Sequence, residues 1–124
     1  MTVLGLDHVQ VAAPRTPGVE ERARAFYSGV LGLRELEKPE ALRPRGGVWF
    51  SLGVGELHVG LEDDFRPARK AHPAFVVDDL DALRARCEDA GYGTSEDVAI
   101  PGVRRFHVHD PFGNRLELVE KQEG

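Results

Sequence analysis

The 124 residues are 41% hydrophobic and 30% charged, the composition of a folded globular chain long enough to bury a core and not of a disordered one. A formal net charge of -5 gives no reason to expect nucleic acid or an anionic membrane as partner, and the basic run Arg66-Pro67-Ala68-Arg69-Lys70 follows Glu62, Asp63 and Asp64 as a solvated linker would. A single cysteine, Cys87, excludes an internal disulfide framework and a Cys-rich zinc module; no apolar run approaches the ~20 residues of a membrane span, and without a signal-peptide pattern at Met1–Gly5 a cytoplasmic location is expected.

Leu4 to Ala12 reads as a strand, with Leu6, His8, Gln10 and Ala12 on one face. Thr16-Pro17 supplies a cap and first turn for a helix through Val19, Ala23, Phe26, Tyr27 and Val30, ended by Gly29 and Gly32. A short strand over Leu33–Leu36 precedes a Pro- and Gly-rich loop from Lys38 to Gly47. Val48–Leu52 and Glu56–Leu61 follow as strands around the Gly53-Val54-Gly55 turn, with Glu56, His58 and Gly60 sharing a face.

The second half repeats this order. His72–Val77 reads as a strand. A helix capped at Asp78 or Asp79 carries Leu80, Leu83, Cys87 and Ala90 as its apolar stripe and stops at Gly91. A weak strand over Gly93–Val98, a loop at Ile100-Pro101-Gly102 and a hairpin of Val103–Val108 with Arg115–Glu120 complete it. The hairpin turns through Asp110-Pro111-Phe112-Gly113-Asn114. The last strand alternates carboxylates and leucines, which predicts one acidic and one apolar face, with Glu120 meeting only solvent.

Both halves are thus β-α-β-β-β. His8 and His72 stand 64 residues apart (72 − 8) and His58 and Glu117 stand 59 apart (117 − 58), each pair at matching places in its half. The duplication predicts one domain over 1–124: module one at 1–62, a linker at 63–71 and module two at 72–124. Two pseudo-symmetric half-sheets facing each other would bring His8, His58, His72 and Glu117 together.

The chain resembles the vicinal oxygen chelate superfamily, which includes glyoxalase I, fosfomycin-resistance proteins, extradiol dioxygenases and bleomycin-resistance proteins. The matching stretches are Leu6-Asp7-His8-Val9, Ala25-Phe26-Tyr27 with Val30-Leu31-Gly32-Leu33, Val76-Val77-Asp78-Asp79-Leu80, and Asp110-Pro111-Phe112-Gly113-Asn114-Arg115-Leu116-Glu117-Leu118. The resemblance implies an α+β fold of two tandem βαβββ modules forming a half-open barrel around one divalent metal ion. Its ligands would come from the first and last strands of each module, here His8, His58, His72 and Glu117. Imidazoles and a carboxylate suit Ni, Zn, Co, Mn and Fe alike, and such an ion, with open positions, acts as a Lewis acid on a small oxygenated substrate. A homodimer is implied by the same analogy.

His58 is left open between fourth ligand, acid/base group and cavity wall, and Glu56 competes with it for the same strand face. Glu117, His58 and His107 are the candidates for proton transfer; His109 shares the face of His107. Arg104 and Arg105 read either as an anion clamp or as a polar sheet face, and Trp49, Phe50 and Phe106 as lining or core. The expected activity is that of a glyoxalase-like lyase or isomerase moving a proton at a carbon next to a carbonyl. The alternatives are an extradiol-type Fe(II) dioxygenase, disfavoured by the short chain; a fosfomycin-type transferase, disfavoured by the lack of a Lys- and Ser-rich loop in Glu96–Val103; and a non-catalytic drug-binding protein, disfavoured by the intact ligand set.

Overall fold

A computed structural model describes residues 1–121. The chain divides into two compact units, Met1–Phe65 and Arg66–Gly124. Each is a β-α-β-β-β module with an open four-stranded sheet, so the class is α+β. No helix among the described residues is long and apolar enough to cross a membrane.

In the first unit, β1 (His8–Pro14) runs parallel to β4 (Glu56–Glu62), β3 (Val48–Ser51) lies antiparallel to β4, and β2 (Glu35–Leu36) forms the edge. The first strand starts at His8 rather than at Leu4, because its partner strand begins at Glu56, directly opposite His8. Leu4 and Leu6 precede the ladder and stay exposed. The helix begins at Val19, but its cap is Gly18 at φ 78 with no side-chain bond; Thr16 contributes only its carbonyl, which accepts from the Val19 N–H at 3.3 Å. Four-residue turns hold over α1 (Val19–Arg24) and widen to π turns over Ala25–Val30. Val19, Ala23, Phe26 and Tyr27 of this helix are buried, as are Val48, Phe50, Leu57 and Val59 of the sheet. The expected loop from Lys38 contains a 3₁₀ helix, Glu40–Arg45, with Pro44 inside it. Its exit requires glycine: Gly47 has φ 92, and a Cβ there would fall 2.3 Å from the Val59 carbonyl oxygen.

In the second unit, β5 (Ala74–Val76) runs parallel to β8 (Arg115–Lys121), with β7 (Val103–His109) antiparallel to β8 and β6 (Thr94–Ser95) at the edge. Here α2 (Leu80–Asp89) is capped by Asp79, whose Oδ1 accepts from the Ala82 N–H at 3.1 Å. Leu80 and Cys87 are buried with Phe106, Val108, Leu116 and Leu118, while Ala90, placed on the helix stripe from sequence, is exposed at the helix end. The alternation of carboxylate and leucine expected of β8 ends at Val119, while the ladder keeps its register. Glu120 therefore shares a face with Leu118 and does more than meet solvent: its Oε2 takes Arg104 at 3.1 Å, and Arg104 also reaches Asp81 of α2. Arg104 is thus tied to the helix side, leaving Arg105 on the other face.

The β7–β8 turn is held by one carboxylate. Asp110 Oδ1 accepts from the N–H groups of Phe112 (2.9 Å) and Asn114 (2.8 Å), and its Oδ2 accepts from Asn114 Nδ2 (2.9 Å), with Asp110 4% exposed. This sets the pairing of His109 with Arg115 and of His107 with Glu117. Removing a buried carboxylate that satisfies three donors strands them, at about 1–3 kcal/mol apiece before relaxation. Asp110→Ala is expected to lower unfolding free energy in urea by roughly 3 kcal/mol; a loss under about 1 kcal/mol would mean that the turn does not depend on it.

Candidate metal centre

Three side chains converge on the face of the second sheet opposite α2. One ring nitrogen each of His72 and His107 and a carboxylate oxygen of Glu117 lie within 4.8 Å of one another. Glu117 Oε1 is the hub, 3.1 Å from each imidazole nitrogen. The side chains of His72, His107 and Glu117 keep 25%, 4% and 12% of their exposure, so the cluster is shielded but reachable through His72.

Backbone pairing explains the convergence. His107 stands directly across from Glu117 in the β7–β8 ladder. His72 precedes β5 instead of opening it, because Pro73 has no N–H to give the ladder. The Pro73 carbonyl accepts from the Glu117 N–H at 3.1 Å, locking the preceding residue beside Glu117. The proline that looks disruptive in sequence therefore aims His72.

The donor set fits a metal ion. Nδ1 of His72 is 2.7 Å from the Lys70 carbonyl, which can only accept, so Nδ1–H donates to it and Nε2 is the ring atom turned toward Glu117. That is the orienting contact metal-binding histidines make. Two ligand atoms roughly 2.1 Å from a shared divalent ion stand about 3.0 Å apart at a right angle and about 3.4 Å apart at a tetrahedral one, and each imidazole–Glu117 pair here is 3.1 Å apart. Two cations border the cluster: Arg105 Nη1 is 3.4 Å from Glu117 Oε1, and Arg115 Nη2 is 3.4 Å from His107 Nε2. Both also approach Asp97, at 3.9 and 3.6 Å. Arg105 donates to the Val98 carbonyl at 2.7 Å, and its Nε is buried without a partner among the described residues.

The other candidates lie in the first unit. His58 is 5% exposed and sandwiched: Trp49 stacks on one side at 3.8 Å and 1°, and His8 on the other at 4.2 Å and 17°. His58 Nε2 is 2.9 Å from Glu56 Oε1, so these two residues are partners rather than alternatives. Asp7 Oδ2 lies 2.8 Å from His8 Nδ1. His109 is exposed, and Phe50 and Phe106 are core.

Burial would raise the Glu117 carboxyl group, but hydrogen bonds from His72 and His107 and the Arg105 charge outweigh it and hold the group below its ordinary value. A depressed carboxyl adds stability above its unfolded pKa of about 4.3 and loses it as pH falls through the lower folded value. Chelator-treated protein should therefore lose urea stability on acidification across that window, with a shallower slope for Glu117→Gln. Equal slopes would mean that the carboxylate is not held by these partners.

The profile of the Glyoxalase/Bleomycin resistance protein/Dioxygenase superfamily matches residues 5–118. The chain is 48% identical to a solved structure described as a glyoxalase family protein from Bacillus anthracis, covering 98% of each chain with a TM-score of 0.91. It shares the fold of lactoylglutathione lyase from Agrobacterium tumefaciens, at 23% identity, TM-score 0.69, and coverage of 94% of this chain and 92% of that one. It also shares the fold of an antibiotic binding protein from a Streptomyces species, at 22% identity, TM-score 0.69, and coverage of 98% and 99%. Among curated proteins none matches the chain. A match over nearly the whole chain, together with that 48% identity, places it: the protein belongs to the glyoxalase/bleomycin resistance protein/dioxygenase superfamily.

Proposed function

We propose that the protein is a divalent-metal-dependent enzyme of the lyase or isomerase type, acting on a small substrate that offers the metal two neighbouring oxygens. The observation that carries this reading is the trio of His72, His107 and Glu117, with both imidazoles directed at one carboxylate oxygen. The superfamily match supports it. His8, which stands in the Leu6-Asp7-His8-Val9 motif, is retained as a further metal residue, and His58 is retained as ligand or acid/base group. When bound, a divalent ion would supply a Lewis acid that draws charge toward the substrate oxygens.

The side chains have separable roles. The Lys70 carbonyl takes the Nδ1–H of His72 and so aims Nε2, the atom that would ligate an ion, at Glu117. Glu117 receives all its contacts from His72, His107 and Arg105 at Oε1. Its Oε2 has no partner among the described residues and is the atom placed to accept a proton from a substrate carbon. His107, nearly fully buried, holds its ring across from Glu117 and offers Nε2 as the second imidazole donor. His58 is restrained by two stacked rings and by Glu56, the arrangement of an imidazole kept in one orientation for proton transfer.

Two other activities use the same residues. An Fe(II) dioxygenase would need the same imidazole and carboxylate donors, and a binding-only protein would need the shielded face without proton transfer. Cytoplasmic location and a homodimer belong to the same proposal; the exposed Val3, Leu4 and Leu6 near the N-terminus support self-association.

Metal content measured by mass spectrometry, on protein purified without chelator or added metal, tests the reading. About one divalent ion per chain is expected, falling below roughly a tenth of that in His72→Ala, His107→Ala and Glu117→Ala. Retention in His8→Ala or His58→Ala would remove that residue from the ligand set. Iron would favour the dioxygenase; nickel, zinc or cobalt would favour the lyase. No ion, even after soaking with each candidate, would leave a binding protein.

A further inference from the structure

The first unit contains a cavity of about 290 Å³ that the metal reading does not use. Arg15, Lys38 and Arg45 line it, with Trp49, Leu42 and Gln10, and no carboxylate does. In a chain with 21 acidic and 16 basic residues, three cations and no acid around one small cavity is a selective arrangement. Gln10 lays its amide over Gly60, in the space where a Cβ would come within 2.9 Å of the amide carbon, so the glycine lets this amide form part of the floor.

The three cations are not equally committed. Arg15 is a strut: it pairs with Asp63 at 3.1 Å and donates to the carbonyls of Arg45 (3.3 Å) and Leu61 (3.4 Å). Lys38 donates to the Gly46 carbonyl. Burial lowers its ammonium pKa, the Glu20 charge opposes that shift and the neighbouring Arg45 adds to it. Glu20 itself is occupied, accepting from the Gly47 N–H at 3.2 Å. Arg45 has no side-chain partner among the described residues, so Lys38 and Arg45 face one cavity as like charges with no counter-ion lining it. The larger neighbouring cavity, about 470 Å³, differs in kind, because its arginines already pair with its acids, Arg24 with Glu35 and Arg43 with Glu37.

We propose that this cavity binds a small amphipathic oxyanion, its carboxylate or phosphate group held by Lys38 and Arg45 and its compact apolar body lying beside Trp49 and Leu42. Charge-assisted hydrogen bonds from two cations favour a carboxylate or phosphate over a neutral oxygen. The volume limits the body to about the size of one ring. A ligand there touches the same indole that clamps His58.

Trp49 is the chain's single tryptophan, so its fluorescence reports on the cavity directly. Chelator-treated protein is titrated with phenyl phosphate and with benzoate, which keeps the result independent of the metal site. A saturable change with at least one of these anions is expected, with no response to benzyl alcohol and binding of inorganic phosphate at least about tenfold weaker. Arg45→Met and Lys38→Met should each weaken anion binding about tenfold or more. Arg45 is exposed, so its substitution should leave circular dichroism and melting unchanged and stays informative if Lys38→Met fails to fold. The absence of a saturable change, equal binding of benzyl alcohol, equal binding of inorganic phosphate, or unchanged affinity in folded Arg45→Met would overturn the proposal.

Discussion

The carboxylate of Asp110, which takes three N–H groups inside the Asp110–Asn114 turn, decides which residues of β7 and β8 face each other. Side chains alternate faces along a strand, so a slip of one residue would send Glu117 toward α2 and bring Leu116 or Leu118 to the polar face. With the register fixed, His107 falls opposite Glu117, and the Pro73 carbonyl holds the other edge of Glu117. One buried turn residue and one proline thus determine the geometry of a cluster that contains neither.

The two units show how a single backbone plan carries different chemistry. In the first, Trp49 stands opposite His58 across β3 and β4; in the second, His107 stands opposite Glu117 across β7 and β8. The first pair joins His8 in a stack of flat rings, with Glu56 beside His58 and Asp7 beside His8. The second places an anionic oxygen between two imidazoles and draws Arg105 toward it. A shielded carboxylate is costly to keep ionised without cations around it, which is why the second unit is the one whose own residues fit a divalent ion.

Much of this could be read from the sequence, because period-two and helical patterns repeat in the same order in both halves. The order of the strands, a helix cap at Asp78 or Asp79 and an apolar face carrying Leu116 and Leu118 followed from those patterns, and the structure selects Asp79 for the cap. Strand ends were harder, since they depend on the partner: β1 stops being a strand where β4 runs out, however apolar Leu4 and Leu6 are. Glu120 was misplaced because both glutamates of the last strand were assigned to one acidic face, although they stand three residues apart and an unbroken ladder puts them on opposite faces. The closeness of His107 to Glu117 could have been found by counting equally outward from Phe112 at the turn. The Trp49–His58–His8 stack and the Arg105 and Arg115 contacts depend on rotamers, which periodicity does not encode.

Anomalous diffraction from crystals grown with zinc or nickel, recorded on both sides of the metal absorption edge, tests the central claim most directly. A single strong peak about 2.0–2.2 Å from Nε2 of His72 and Nε2 of His107 and from Glu117 is the expected result. Crystals of metal-soaked protein with no peak at that cluster, or with Arg105 still paired to Glu117 and the ion bound elsewhere, would contradict it.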